Sequence, residues 1–217
     1  QQQGGFDGNE NTLYDNGVQM SSGGRDNFDF KYDYLSASIG LNYSLNDDMS
    51  VFARFSKGNK APEMNYYFNN FTNVPIDKKG EVQEIKQGEL GFKWRSNHFS
   101  IATTAFWSQL KNIGVSDFVF DDNTNSVFYT PVQFNNSRTI GLEWETAYTP
   151  TMDLTFRFNG VLQDPKATKW NVYDAAGSID TADDTVTSYA DNTLPFNPKV
   201  MFNLSAEYQK NNSISSC

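Results

Sequence analysis

The chain has 217 residues, enough for one domain with a sizeable core, and sets 17 Lys and Arg against 26 Asp and Glu for a net charge of −9 at pH 7. That balance excludes the basic footprint that a nucleic-acid partner requires. Only 38% of residues are hydrophobic while 15% are aromatic, which suits a β protein sparing in apolar residues, and the single cysteine, Cys217, leaves no partner for an internal disulfide.

The elements follow in chain order. Residues 1–30 are rich in Gly, Asn, Asp and Gln without any period and read as a loop or disordered lead-in. Alternation then takes over: Leu35, Ala37, Ile39, Leu41, Tyr43 and Leu45 are apolar, with small or polar residues between several of them, the period-2 pattern of a strand. Asn46–Asp48 turns the chain into a second strand, where Met49, Val51, Ala53 and Phe55 keep the phase and Phe52 breaks it. Gly58 and Pro62 are expected to end that ladder, and an irregular stretch runs to about residue 82. A third strand over about 83–95 carries Leu90, Phe92 and Trp94 and turns at Ser96-Asn97 into a fourth over about 98–112, with Phe99, Ile101, Thr103, Ala105 and Trp107 on one face. After a long stretch at 114–126, a fifth strand covers about 127–148 and turns at Thr149–Met152 into a sixth over about 153–163. A polar stretch over 164–196 leads to a seventh at about 199–209, and no segment shows a helical period. No hydrophobic–basic leader is visible at Gln1, and no run of about 18 apolar residues could form a spanning helix.

Three features need one cause: strands longer than the usual 5–6 residues, connections alternating between tight turns and long loops, and apolar side chains on one face only. A β-sandwich accounts for the last alone. A transmembrane barrel accounts for all three, because a tilted strand needs about 9–11 residues to cross the hydrocarbon and alternates apolar-out with polar-in. Tyr43, Trp94, Phe99 and Tyr148 lie in the apolar phase beside the three tight turns, as an interfacial aromatic girdle requires. On this reading Ala53 and Phe55 face lipid, Arg54 and Ser56 face the lumen, and residues 57–62 mark the exit from the bilayer. The expectation is an all-β fold: an antiparallel up-and-down transmembrane barrel segment of about seven strands, with short periplasmic turns and long extracellular loops. Residues 31–210 form the partial barrel, 1–30 an extracellular loop or disordered lead-in, and 211–217 an irregular tail.

Several segments resemble motifs of TonB-dependent outer-membrane receptors. Phe55-Ser56-Lys57-Gly58-Asn59-Lys60-Ala61-Pro62 fills the slot of the family's "YSRGFRAPS" corner, and Glu84 to Lys93 is similar to its "E…YELGLK" strand. Ala105-Phe106-Trp107 with Lys111-Asn112-Ile113 resembles "AFYxxxKDL", Ser137 to Glu145 resembles "ARTYGVELE", and Leu194 to Lys199 resembles "LPNVPKH". The five stand in the family's order over about residues 31–210. The resemblance implies a late segment of the barrel of an active transporter in the bacterial outer membrane. Such a protein imports a large scarce nutrient (siderophore-bound iron, cobalamin or an oligosaccharide) and draws energy from TonB through a plug domain that these residues do not include. Its partners would be outer-membrane lipid, TonB and the small-molecule or oligosaccharide ligand, with no nucleic acid and no cofactor.

No catalytic constellation is visible, so no enzyme is expected. His98 has no ligating partners at metal spacing. The acid runs Phe120–Asn123 and Asp180–Asp184 lack the spacing of a calcium loop, and Glu89, Lys93, Glu143 and Glu145 read as wet lumen residues. Asn70-Phe71-Thr72 and Asn135-Asn136-Ser137 are formal glycosylation sequons without meaning in a bacterial outer membrane. The candidate ligand-binding residues are the loop aromatics Tyr66, Tyr67, Phe68 and Phe71, with Trp170 and Tyr173 in another loop on the same side, since such rings can stack on a sugar, a catecholate or a porphyrin. The rival readings are a passive channel or adhesin barrel, and a soluble carbohydrate-binding sandwich.

Overall fold

A computed structural model describes residues 29–63, 79–121, 126–176 and 184–209. The chain divides into two compact units. Of the smaller, residues 1–31 and 75–79, only 29–31 and 79 are described, and there Lys79 Nζ donates to the Lys31 carbonyl at 2.7 Å. All that follows concerns the larger unit.

Every regular element among the described residues is a strand: β1 (Ala37–Ser44), β2 (Met49–Lys60), β3 (Gln83–Arg95), β4 (Phe99–Val115), β5 (Phe118–Asp121), β6 (Ser126–Tyr129), β7 (Gln133–Thr151), β8 (Leu154–Lys169), β9 (Asn171–Asp174), β10 (Thr185–Ser188) and β11 (Val200–Tyr208). Seven of them form one sheet in the order β1-β2-β3-β4-β7-β8-β11, each antiparallel to its neighbours. Sequence order and spatial order therefore agree, as in an up-and-down meander. The tight connections lie at residues 45–48, 96–98 and 152–153, all at one end. The long ones lie at the other end, and two of them contain the small ribbons β5–β6 and β9–β10.

The seven expected strands and all three tight turns are present. The first and third long stretches are shorter than the alternation suggested. β2 continues to Lys60, and Gly58 sits inside the ladder opposite Ile85 rather than ending it. A Cβ added at Gly58 would lie 3.0 Å from Ile85 Cγ2, so the missing side chain makes room for that neighbour. β8 runs through Pro165 to Lys169, well beyond residue 163. The expected fifth strand is broken at 130–132, where Pro131 has no N–H for a ladder, into β6 and the long β7. β7, with 19 residues, reaches about 60 Å along its axis, or about 45 Å of height at barrel tilt, more than the hydrocarbon alone requires.

Register fixes what shares a face, because directly opposed residues point to the same side. One row reads Leu41, Ala53, Leu90, Ala105, Leu142, Leu162, Val200 across all seven strands. The next toward the tight turns reads Tyr43, Val51, Phe92, Thr103, Trp144, Gly160, Phe202. These rows, and the next one holding Trp94, are not packed under a second layer: Leu41 is 75% exposed, Trp94 36%, Leu142 43% and Phe202 73%. Among the described residues the only buried apolar side chains are Ala167 and Pro165, both near the loop end of β8. A soluble sandwich would take about 1.5–3 kcal/mol from burying each such large side chain. An entire apolar face left open demands a non-aqueous medium, and the sandwich reading falls.

The opposite face is polar, and three bare glycine positions in the sheet are roofed by rings from a neighbouring strand. A Cβ at Gly91 would lie 2.8 Å from Phe52 Cδ1 and overlap the rest of that ring; at Gly141 it would lie 2.7 Å from both Phe106 Cε1 and the Leu162 carbonyl oxygen. On the apolar face Trp144 covers Gly160 in the same manner. Phe52, out of phase in the sequence, is therefore a polar-face residue that lies over its cross-strand glycine.

Candidate functional site

The polar face carries charges of both signs. One row holds Arg54 and Glu89; another holds Ser50, Lys93, Ala102, Glu145, Asn159 and Asn203, with Glu143 one step further along β7. Lys93 Nζ sits 5.3 Å above the Phe52 ring. Toward the tight turns, Lys93, Arg95, Glu145, Arg157 and Asn159 help line a concavity of about 580 Å³. Among the described residues no group of three or more His, Cys, Asp and Glu converges as a metal site. His98 sits in the β3–β4 turn, and its carbonyl accepts the Thr149 N–H at 2.8 Å, so its backbone ties that turn to the end of β7.

At the opposite end the strands outrun the apolar band and support the ribbons. Thr130, 2% exposed, closes the base of β5–β6: its N–H donates to the Asp117 carbonyl at 2.8 Å and its Oγ1 accepts the Asp117 N–H at 2.9 Å. Asn135, fully buried, holds β9. Its Nδ2 donates to the Asn171 carbonyl at 3.1 Å and its Oδ1 accepts the Asn171 N–H at 2.8 Å, so one amide side chain does the work of a ladder residue. Within the ribbon Tyr173 Oη donates to Asp184 Oδ2, whose other oxygen accepts the Ala176 N–H at 3.0 Å.

Of the candidate ligand residues, Tyr66, Tyr67, Phe68 and Phe71 lie outside the described residues. Trp170 stands at the β8–β9 junction, where its carbonyl accepts the Tyr189 N–H at 2.7 Å, and Tyr173 lies in β9; both are half-buried. Asn135 was legible only as a sequon. Its complete burial rules it out as an acceptor of a glycan and gives it a structural task instead. The sequon at Asn70 and most of the run Asp180–Asp184 fall outside the described residues, and Asp184 is occupied by Tyr173 and Ala176.

A one-layer antiparallel sheet, apolar on one side, charged on the other and asymmetric in its connections, is the wall of a membrane barrel. The sequence profile of one family, described as "TonB dependent receptor-like, beta-barrel", matches residues 3–214. The chain belongs to that family.

Solved structures agree in fold. The chain is similar to the copper transporter OprC (13% identity, TM-score 0.57, covering 81% of this chain and 24% of that one). It is similar to the siderophore receptor PiuA from Acinetobacter baumannii (18%, TM-score 0.55, 80% and 23%) and to the ferric yersiniabactin uptake receptor FyuA from Yersinia pestis (16%, TM-score 0.51, 79% and 22%). The chain thus spans under a quarter of the length of each of these receptors. No curated protein sequence matches it. In a TonB-dependent receptor barrel the apolar rows face hydrocarbon and the polar rows face the lumen. Tyr43, Trp94 and Tyr148, with Tyr208 besides, stand exposed on the lipid side at the tight-turn end, and Trp94 and Phe99 pack with ring centroids 5.6 Å apart.

Proposed function

We propose that this segment is wall and outer rim of an active transporter of the bacterial outer membrane, which takes up a large scarce nutrient with energy supplied through TonB. The observation that carries this reading is the family match over residues 3–214 on a sheet whose apolar face is open to its surroundings. The similar structures, among them a copper transporter and a siderophore receptor, favour a metal or a metal chelate over cobalamin or an oligosaccharide as cargo. In this reading the long loops hold the ligand: Tyr66, Tyr67, Phe68 and Phe71 stack on it from one loop, and Trp170 and Tyr173 from the rim that Asn135 anchors. The charged lumen wall around Lys93, Glu143, Glu145 and Arg157 contacts the plug and a passing polar solute.

The test is growth of a strain deleted for the full gene, with and without complementation, on ferric chelates, copper, cobalamin or an oligosaccharide as limiting nutrient. Loss of growth on one nutrient, restored by the gene only while TonB is present, is the expected result. Uptake that persists without TonB would identify a passive channel instead.

A further inference from the structure

We propose that the lipid-facing surface carries, at its loop end, a binding strip for the phosphorylated headgroup of an outer-leaflet lipid, formed by Lys57, Lys86, Lys111, Arg138 and Lys166. This rests on the proposal that the apolar face meets hydrocarbon.

Consider β2, β3 and β7 on their apolar phase. On β2 the series Met49, Val51, Ala53, Phe55 is followed by Lys57; on β3 Trp94, Phe92, Leu90 and Gly88 lead to Lys86; on β7 Trp144, Leu142 and Ile140 lead to Arg138. On these three strands the first charged residue past the apolar band is a cation two positions beyond it; on β8 Asp164 comes first and Lys166 follows. Register places them together, since Lys57 opposes Lys86, Lys86 opposes Gln109 and Arg138 opposes Lys166. Lys111 lies two residues past Gln109, opposite Glu84. Neighbouring strands are about 4.8 Å apart, so the strip from β2 to β8 is about 19 Å wide, the scale of a lipid headgroup with more than one phosphate. The strands tilt, so it climbs obliquely across the headgroup zone rather than forming a level ring.

The charge there is only partly compensated. Glu84 alone bridges both Lys57 (2.8 Å) and Lys86 (3.0 Å), and Asp164 stands 3.7 Å from Lys166. Arg138 has no ion pair among the described residues, and its Nε is shielded from water with no hydrogen-bond partner. In a chain of net charge −9 such a surplus of cations is a local departure. It is also one-ended: among the described residues no Lys or Arg occupies the apolar phase beside the tight turns. Cations flanking a hydrocarbon-facing band, with an unpartnered guanidinium among them, match a phosphate at the membrane surface, where each basic residue adds to the attraction.

The experiment uses the full-length protein in neutral-detergent mixed micelles. Trp107 lies on the lipid-facing side next to the strip, and the part of the fluorescence that disappears in Trp107→Phe reports on it. Phosphatidylcholine with brominated chains should quench that signal. Unbrominated phosphatidate should then relieve the quenching at roughly tenfold lower mole fraction than unbrominated phosphatidylcholine, the order expected for several cations near an anionic surface. The preference should disappear in Lys57→Gln/Lys86→Gln/Arg138→Gln and, in the unmodified protein, in about 1 M salt, where charges are screened within a few ångströms. Absence of any quenching overturns the membrane reading itself. Quenching without a preference for phosphatidate, or a preference indifferent to salt, overturns the strip alone. Equal competition by inorganic phosphate also overturns it, in favour of a soluble anion. Should the triple variant fail to fold, Lys111→Gln/Lys166→Gln and the salt series decide.

Discussion

Replacing Gly91 by Ala puts the cross-strand packing of the lumen wall to a quantitative test. An alanine in a strand interior should gain about 0.5–1 kcal/mol over glycine from the unfolded state. At Gly91, however, the new Cβ would lie 2.8 Å from Phe52 Cδ1 and overlap the remainder of the ring, which must swing off the sheet. Overpacking of this kind costs about 1–3 kcal/mol, and the ring also leaves Lys93 Nζ, now 5.3 Å from its centroid. The net expectation is a loss of about 1–2 kcal/mol. Gly88→Ala is the control: its Cβ meets only Trp107 Cε3 at 3.8 Å, an ordinary contact, and should gain the entropic term in full. The pair Phe52→Ala/Gly91→Ala should be more stable than the sum of the single losses by at least about 1 kcal/mol, as residues in contact couple. Urea midpoints of the full-length protein in micelles, read by the heat-sensitive shift in gel migration, measure Gly91→Ala, Gly88→Ala, Phe52→Ala and the pair. If Gly91→Ala is as stable as Gly88→Ala, or if the double variant is additive, the ring does not roof the glycine and the reasoning fails.

Three further outcomes are expected. Leu142→Arg places a charge in the middle of the apolar band and should cost about 2–4 kcal/mol in folding into lipid vesicles, whereas Thr104→Arg, on the polar face beside Glu143, should cost under 1 kcal/mol. Asn135→Ala strands the N–H and C=O of Asn171; about 1–3 kcal/mol of local stability should go, seen as faster proteolysis between residues 170 and 190 while the barrel keeps its gel shift. Trp170→Ala and Tyr173→Ala should each weaken ligand uptake several-fold if the rim stacks on cargo. Tyr173→Phe, which keeps the ring and loses the bond to Asp184, should then leave uptake nearly intact, and equal damage from Phe and Ala would refute a stacking role.

The sequence was most informative where one physical constraint repeats. Ile39, Leu41 and Tyr43, or Phe156 and Phe158, sit in phase because each must face the same medium, and a period of two is readable without coordinates. Phe52 defied that reading because its partner, Gly91, is distant in the chain and only register brings them together. The ribbons β9–β10 and β5–β6 were missed for a related reason. Their strands of four residues are too short to show a period, and β10 (Thr185–Ser188) is exposed throughout. Asn135 was hidden because a buried amide that mimics backbone looks, in sequence, like any polar loop residue. The fold was therefore legible from its alternation, while the rim depends on single long-range hydrogen bonds that leave no periodic trace.

The same sheet also sets a condition on how it can exist. β1 and β11 are its edges, and neither is paired on its outer side within the sheet. In hydrocarbon each unsatisfied N–H or C=O costs several kcal/mol, because no water is there to replace the missing strand. Leu41 and Phe202, 75% and 73% exposed and among the most open apolar side chains of the band, lie on those two edge strands, where lateral cover is missing as well. Both the backbone and the side chains of the edges thus ask for further strands at each side. That agrees with a segment covering under a quarter of the receptors it resembles. The apolar face and the open edges are then two consequences of one arrangement: a curved wall that is stable in lipid only once its ladder closes.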